Sequence, residues 1–316
     1  MHLMLLALLL AGPSASAEPY HLIPGRVPLD WQGPDGNTVI LDAPRGLIVF
    51  DTGRSPMHAQ AILDYAKSRH RPIAAIVNSH WHLDHTTGNY DLRQVYPKAA
   101  VYASTAIEGA LVGFLNKGRE QGDKMLADPN VSEGQKAQLI RGRYRVDHPD
   151  TLRPTRPIVR SGRMTIAGRT LDVHLAKFAA TEGDVWVYDP KSRTLIVGDL
   201  VVGLVPFMDT ACPEGWAKAL DEVAAAPFTT LIPGHGGPMS RADYLAWRKA
   251  FNDFIDCGHS AADKKQCVNG WEHDAGKFVD PEHRNYVRGA ADYYLTTRLR
   301  SSPDEQQRYC KKLKSS

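Results

Sequence analysis

Apolar positions recur with two different periods along this chain. Between residues 38 and 53 two β-rich runs flank a turn at Pro44-Arg45-Gly46, which predicts a hairpin. From Met57 to Ser68 the spacing becomes helical, with Ile62, Tyr65 and Ala66 on one face. The apolar run PIAAIVNSH then has the length of a buried strand and ends on histidine. Strand, helix, strand, with chemically active side chains at a strand's carboxyl end, is the grammar of an α/β fold. The order repeats in AVYAS, a short strand, and in a helix expected from Thr105 to about Leu115. Residues 116–158 are polar and read as an insertion with one or two helices, outside the core. From 163 to 201 the pattern returns to strands, in RMTIAG, TLDVHLA, DVWVYDP and TLIVGDLVV, with turns at Gly168, Pro190 and Ser192. WAKALDEVAAA is helical, TTLIPGHG is a last strand, and helices are expected from Ser240 onward. Tyr244, Trp247, Phe251, Phe254 and Ile255 fall at helical spacing and are expected in the core.

Composition changes this picture only at the ends. The apolar share of 43% and charged share of 23% are those of an ordinary globular chain. A net charge of +3 with no basic stripe argues against a nucleic-acid partner and does not demand an anionic substrate. Leu3 to Ala11 form a short apolar run, and Ala15-Ser16-Ala17 fits a small-x-small cleavage pattern. Residues 1–17 therefore read as a signal peptide, with a mature chain from Glu18 that is periplasmic or secreted. The run is too short for stable membrane insertion. All four cysteines lie in the last third. An oxidising compartment favours disulfides, and four cysteines permit three pairings. Cys257 with Cys267 is the favoured local closure, leaving Cys212 with Cys310 to pin the C-terminal tail; without a C-x-x-C pair, a zinc site among them is the weaker reading.

The chemistry concentrates in NSHWHLDHTTGN, where His80, His82, Asp84 and His85 fall within six positions. Zinc takes imidazole nitrogens and carboxylate oxygens in compact geometry. His80 and His82 are two apart in an extended segment and can point the same way. Asp84 and His85 follow where the chain must bend, so the four could serve two adjacent metals. Two distant candidates sit at strand ends: Asp199 in IVGDL, and His235 in IPGHGGP, whose glycines allow a tight turn.

This arrangement, with FDTG upstream and Gly198-Asp199 and Gly234-His235-Gly236 downstream, resembles the metallo-β-lactamase superfamily over roughly residues 36–240. The resemblance implies a four-layer αββα sandwich with the site at one edge of two facing sheets. It assigns residues 18–240 to the hydrolase domain and leaves 241–316 as a helical extension packed on it. It implies a first metal site using His80 and His82, a second using Asp84, His85 and His235, and Asp199 bridging. Asp51 matches the family's early aspartate, which supports the ligand loop. One position departs: in AATEGD, residues 179–184, Ala180 stands where the family places a third histidine of the first site. One or two zinc ions are therefore expected, the second site being the better supplied, with His174 the nearest substitute for the missing ligand.

The implied function is an exported zinc-dependent hydrolase of small molecules, using a metal-bound hydroxide on an ester, lactone, thioester or amide-type bond. Asp84 and Asp199 are the candidate catalytic carboxylates, orienting the nucleophile and moving its proton. A β-lactamase proper and a decayed metal- or ligand-binding module are the alternatives. A redox di-iron protein would need more carboxylate ligands. Residues 112–158, 202–216 and the C-terminal helices are expected around the substrate, with Trp81, Phe207 and Trp216 candidates for an apolar lining. The substrate itself is not written in these motifs, since a fold does not fix a function.

Overall fold

The computed structural model describes residues 19–26 and 33–311. The N-terminal apolar segment, its cleavage motif at Ala17 and the terminal residues 312–316 lie outside these. Strand β1 (His21–Ile23) pairs antiparallel with β2 (Thr38–Ala43), which turns at Pro44-Arg45 into β3 (Gly46–Phe50). This is the predicted hairpin. Helix α1 (Pro56–Ser68) begins where the Ser55 side chain accepts the His58 amide and Pro56 occupies the first turn. It leads to β4 (Ile73–Val77), parallel to β3. The short helices α2 (Leu83–Thr86) and α3 (Asn89–Val95) precede β5 (Ala100–Ser104), parallel to β4.

The single helix expected over residues 105–115 is two. α4 (Ile107–Val112) stops at Gly113, whose backbone (φ −105°, ψ −102°) leaves the helical region. α5 (Phe114–Leu126) restarts at once and packs beside α6 (Glu133–Asp147), opened by a capping box between Ser132 and Gln135. The polar insertion thus holds a helical hairpin, and β6 (Arg156–Ile158) completes a six-stranded sheet in the order β1-β2-β3-β4-β5-β6.

The second sheet begins as an antiparallel meander of β7 (Gly162–Ile166), β8 (Arg169–Lys177), β9 (Gly183–Asp189) and β10 (Thr194–Val202). α7 (Pro213–Ala225) then crosses to β11 (Thr230–His235), parallel to β10, and β12 (Met239–Ser240) closes the edge. The order is β12-β11-β10-β9-β8-β7. Helices α8 (Arg241–His259), α9 (Lys264–Ala275), α10 (Arg284–Tyr294) and α11 (Pro303–Gln306) follow.

The central strands are apolar on both faces, so both faces must be covered. Val39, Leu41 and Ile48 of the first sheet meet Val173, Val187 and Ile232 of the second. The alternate residues Ile40, Leu47 and Val49 pack outward under Ile62 and Ala66 of α1 and Leu92 of α3. On the far side Val197, Leu200 and Val202 lie under α7 and α8. Each fully buried Val, Leu or Ile contributes about 1.5–3 kcal/mol. The result is the expected αββα sandwich.

The C-terminal helices are locked onto β10 and the segment after it by a ladder of indoles. Trp216 of α7, Trp247 of α8 and Trp271 of α9 donate to the carbonyls of Leu200, Val202 and Leu204 at 3.0, 2.8 and 3.2 Å. Tyr244, Trp247, Phe251 and Phe254 are buried in the same cluster as Trp216, as their spacing predicted; Ile255 is partly buried against it. Cys257 bonds Cys267, and Cys212 bonds Cys310 across 98 residues.

Candidate metal centre

Asp51 follows β3 at φ 56°, a left-handed conformation uncommon for a residue with a Cβ. That turn aims its carboxylate at the end of β4. Oδ1 accepts the Ser79 amide at 2.8 Å, and Oδ2 accepts both the Ser79 hydroxyl at 2.7 Å and His85 Nδ1–H at 2.8 Å. The Ser79 proton is committed to Asp51, so Ser79 Oγ is the acceptor for His80 Nδ1–H at 2.9 Å. One buried carboxylate thereby fixes two imidazole tautomers, each presenting the Nε2 lone pair.

The bend expected after His82 is α2, whose first turn carries Asp84 and His85. Asp199 and His235 arrive on the parallel pair β10 and β11. Close approach here requires glycine twice. Gly198 is at φ 53°, and a Cβ there would strike the Ser79 side chain; a Cβ on Gly234 would strike Asp199 Oδ1.

Four ligand-type atoms converge. His235 Nε2 lies 3.2 Å from Asp84 Oδ2 and 3.5 Å from Asp199 Oδ1; His85 Nε2 lies 3.2 Å from Asp199 Oδ1 and 3.5 Å from Asp84 Oδ2. With metal bonds of about 2.0–2.1 Å, a tetrahedral site has edges of about 3.3–3.4 Å. His80 Nε2 stands 3.8 Å from Asp199 Oδ2. His80, His85 and His235 Nε2 and Asp199 Oδ1 are buried and make no hydrogen bond, a costly state unless a cation takes their lone pairs. The donor set and its spacing fit a zinc ion held by Asp84, His85, His235 and Asp199.

In the metal-free site the carboxylates favour a proton on His85, a positive charge that a bound cation would take over. Burial opposes ionisation of Asp84, but the charge of His85, the His235 imidazole 3.2 Å away and the Arg54 guanidinium 3.6 Å away hold its carboxyl well below the usual range. Burial likewise opposes Asp199, and His85 and His235 pull it down. His85 is raised well above the ordinary imidazole value: burial would lower it, but Asp199, Asp51 and Asp84 outweigh that. Burial keeps His80 well below its ordinary value, with His85 and His82 adding to the effect. Burial pushes Asp184 up to about 7 against the hydrogen bonds from Thr181, with Asp199 adding to the rise.

His82 stands apart from this cluster. Its ring packs edge-on 4.5 Å from that of His80, but its Nε2 lies 3.1 Å from Thr210 Oγ1. Thr210 Oγ1 in turn donates to the carbonyl of the buried Ala180 at 3.3 Å. His174 does not reach in. Val173 and Leu175 of β8 belong to the core between the sheets, so His174 faces the outer side. There it stacks on Trp186 with centroids 3.6 Å apart.

A cavity of about 440 Å³ opens on Asp84, Asp199 and His82. Trp81 and Phe207 line it as expected, with Leu83, Phe114, Leu139 and Val146 from α2, α5 and α6. Trp216 does not; it is fully buried in the core, its indole bonded to Leu200. Asp209, Tyr286 and Tyr294 line it from the 202–216 segment and the C-terminal helices expected there, whereas sequence reasoning missed Arg54. Tyr294 donates to Asp209 at 2.6 Å, so α10 closes the far side. Tyr286 and Tyr294 sit eight apart on a helix, a spacing that reads as core.

Two facing sheets thus deliver carboxylates and imidazoles from four separate strand and helix ends into one buried cluster beneath an open cavity, an arrangement that suits a metal centre. Residues 31–235 match the family model of the metallo-beta-lactamase superfamily, and the chain belongs to that superfamily. It is 27% identical over 224 residues to a linear primary-alkylsulfatase of Pseudomonas sp. (strain ATCC 19151), covering 64% of this chain and 41% of that protein. It is 40% identical over 178 residues to a hydroxyacylglutathione hydrolase of Synechococcus sp. (strain JA-3-3Ab), covering 56% of this chain and 54% of that protein. The chain thus spans about half the length of these curated relatives. A solved metallo-beta-lactamase from Pontibacter korlensis has the same fold, with a TM-score of 0.51 at 18% identity over 70% of this chain and 88% of that one. The names of these three proteins carry three different substrates, so family membership leaves this chain's substrate open.

Proposed function

We propose that this chain is an exported zinc-dependent hydrolase that cleaves a carboxylic ester or thioester bearing a sizeable apolar group. The observation that carries the reading is that Asp84 and Asp199, two of the four converging ligand residues, open onto a cavity walled by Trp81, Leu83, Phe114, Leu139 and Val146. A zinc ion held by Asp84, His85, His235 and Asp199 would supply Lewis-acid polarisation of the scissile carbonyl and a water ionised near neutral pH. The chain's own residues do the rest. Asp51 holds the His85 and His80 rings in register. Asp84 offers Oδ2 to the cluster while Oδ1 faces Arg54 on the cavity side, where it accepts the proton released on attack and returns it to the leaving group. Asp199 Oδ1, 3.2 Å from His85 Nε2 and 3.5 Å from His235 Nε2, stands where it would complete the ligand set with both rings.

The apolar wall favours an aliphatic or aromatic acyl group. Export is supported by the pairing of all four cysteines and by the apolar run and cleavage motif in residues 1–17.

The test is a series of p-nitrophenyl esters from acetate to decanoate, with a thioester, a β-lactam and decyl sulfate alongside. The expected outcome is kcat/KM rising with chain length by up to about fourfold per methylene, the equivalent of about 0.8 kcal/mol of burial each, until the cavity is full. Phe114→Ala should flatten that rise. A flat series, or turnover confined to the β-lactam or to decyl sulfate, would contradict the proposal.

A further inference from the structure

We infer that Asp209, with the aromatic side chains of Phe207, Tyr286 and Tyr294 in the same wall, forms a subsite for an ammonium group on the alcohol or thiol part of the substrate. The inference rests on the ester or thioester reading above and deepens it. The acyl part takes the apolar wall of α5 and α6, and a cationic leaving part takes the wall built by α10 and the segment after β10.

Charge pairing carries the argument. Every arginine of the cavity wall already faces a carboxylate: Arg54 lies 3.6 Å from Asp84, Arg119 lies 3.3 Å from Asp147, and Arg143 pairs with Asp123. Asp84 and Asp199 belong to the metal-binding set. Asp209 is the carboxylate of the wall left over, since among the described residues no basic side chain forms an ion pair with it. The hydrogen bond it does accept, from the Tyr294 hydroxyl to Oδ2 at 2.6 Å, comes from a neutral donor, which fixes the carboxylate without cancelling its charge. A half-buried charge without a counter-charge, in the wall of a largely apolar cavity, is matched when the ligand brings a cation.

The surroundings choose the kind of cation. Tyr286 and Tyr294 of α10 and Phe207 line the cavity together with Asp209. Aromatic rings beside a carboxylate suit a quaternary ammonium, whose charge lies under apolar methyl groups. The subsite is also close to the metal centre. The Phe207 ring packs edge-on against that of His235, with centroids 5.7 Å apart, and Asp209 follows two residues later. Burial pushes the Tyr286 hydroxyl up to about 12, and Asp209 and Asp84 both add to the rise, so Tyr286 stands in the field of both carboxylates. The centre itself does not repel an ammonium group, because Asp84 and Asp199 would neutralise a divalent ion bound there.

The test compares two esters of one shape and different charge, butyrylcholine and the analogue in which a tert-butyl group replaces the trimethylammonium, as substrates of the zinc-loaded mature chain. Butyltrimethylammonium is titrated into the same protein by calorimetry. The wild type should favour the choline ester by ~10-fold in kcat/KM. Asp209→Asn keeps the shape and an acceptor for Tyr294; it should bring that ratio close to one and weaken butyltrimethylammonium binding by a similar factor. Should Asp209→Asn fail to fold, Tyr286→Leu decides, with ratio and affinity both expected to fall ~3-fold or more. Equal turnover of the two esters by the wild type, or a preference unchanged in the variant, would overturn this inference and leave the hydrolase reading intact. Hydrolysis of neither ester would overturn the hydrolase reading, and the titration then decides the subsite: binding weakened in Asp209→Asn sustains it, whereas no binding, or equal binding by both proteins, overturns it.

Discussion

Asp51 shows how much of this site depends on a residue that touches neither metal nor substrate. Its two oxygens organise Ser79, His80 and His85 together. Replacing it with Ala should lower zinc affinity by ~10–100-fold, read by chelator competition, while leaving all four ligands in the chain. Asp184 gives a different prediction. Its carboxyl is pushed up to about 7 by burial, with Asp199 adding to the rise, whereas an unfolded chain has it near its ordinary value. Between about pH 4 and pH 7 the native state therefore holds a proton that the unfolded state has lost, and stability falls as pH rises through that window. In zinc-free protein, Asp184→Asn should remove this loss. Its advantage over wild type in urea unfolding should grow by up to ~4 kcal/mol from pH 4 to pH 8, and an advantage independent of pH would contradict the assignment. The convergence of His80, Asp84, His85, Asp199 and His235 was legible as a set of candidate ligands because metal chemistry restricts both residue type and spacing. Thr210 was not. A threonine in a loop has no signature, and its role exists only because residues 82 and 180 lie beside it in space.

Strands were easier to read than helix breaks or helix roles. β2, β3, β4 and β8 to β11 follow directly from apolar runs, because both sheets are covered on both faces and leave little polarity in their strands. The break at Gly113 was missed, since a glycine within a helical pattern costs only about 1 kcal/mol and does not by itself end a helix. The break matters: it turns α5 away from α4 and brings Phe114 and Leu115 to the cavity. On the other sheet face the aromatic stripe of α8 read correctly as core, but the indole ladder did not show in the pattern. Trp247→Phe keeps the apolar ring and leaves the Val202 carbonyl without its donor. The expected cost is ~1–3 kcal/mol, measured by urea unfolding, with Asp199 three residues away from the lost contact. A loss below a few tenths of a kcal/mol would mean that the ladder is not what fixes α8 to β10.

The molecule is tied together twice. The Cys212–Cys310 bond closes 98 residues and holds the C-terminal tail against the segment that carries Phe207, Asp209 and Thr210; Arg298 reinforces it with a bond to the Ala211 carbonyl at 3.0 Å. The Cys257–Cys267 bond closes only ten. On loop entropy alone the long closure stabilises by about 4.7 kcal/mol and the short one by about 2.7 kcal/mol. Serine replacement of the Cys212–Cys310 pair should therefore destabilise more, and should also weaken turnover by loosening Thr210 and the cavity wall. Equal losses for the two pairs would show that the tail is held by packing instead. The C-terminal helices supply Tyr286 and Tyr294 to the cavity, where the sequence had led them to be expected. The most direct single measurement is hydrolysis of p-nitrophenyl octanoate by the mature protein as purified, after chelator dialysis, and after zinc is returned. Activity should vanish on dialysis and recover with zinc, with no recovery in His235→Ala. Undiminished turnover by the dialysed protein would contradict a hydrolytic centre built on Asp84, His85, Asp199 and His235.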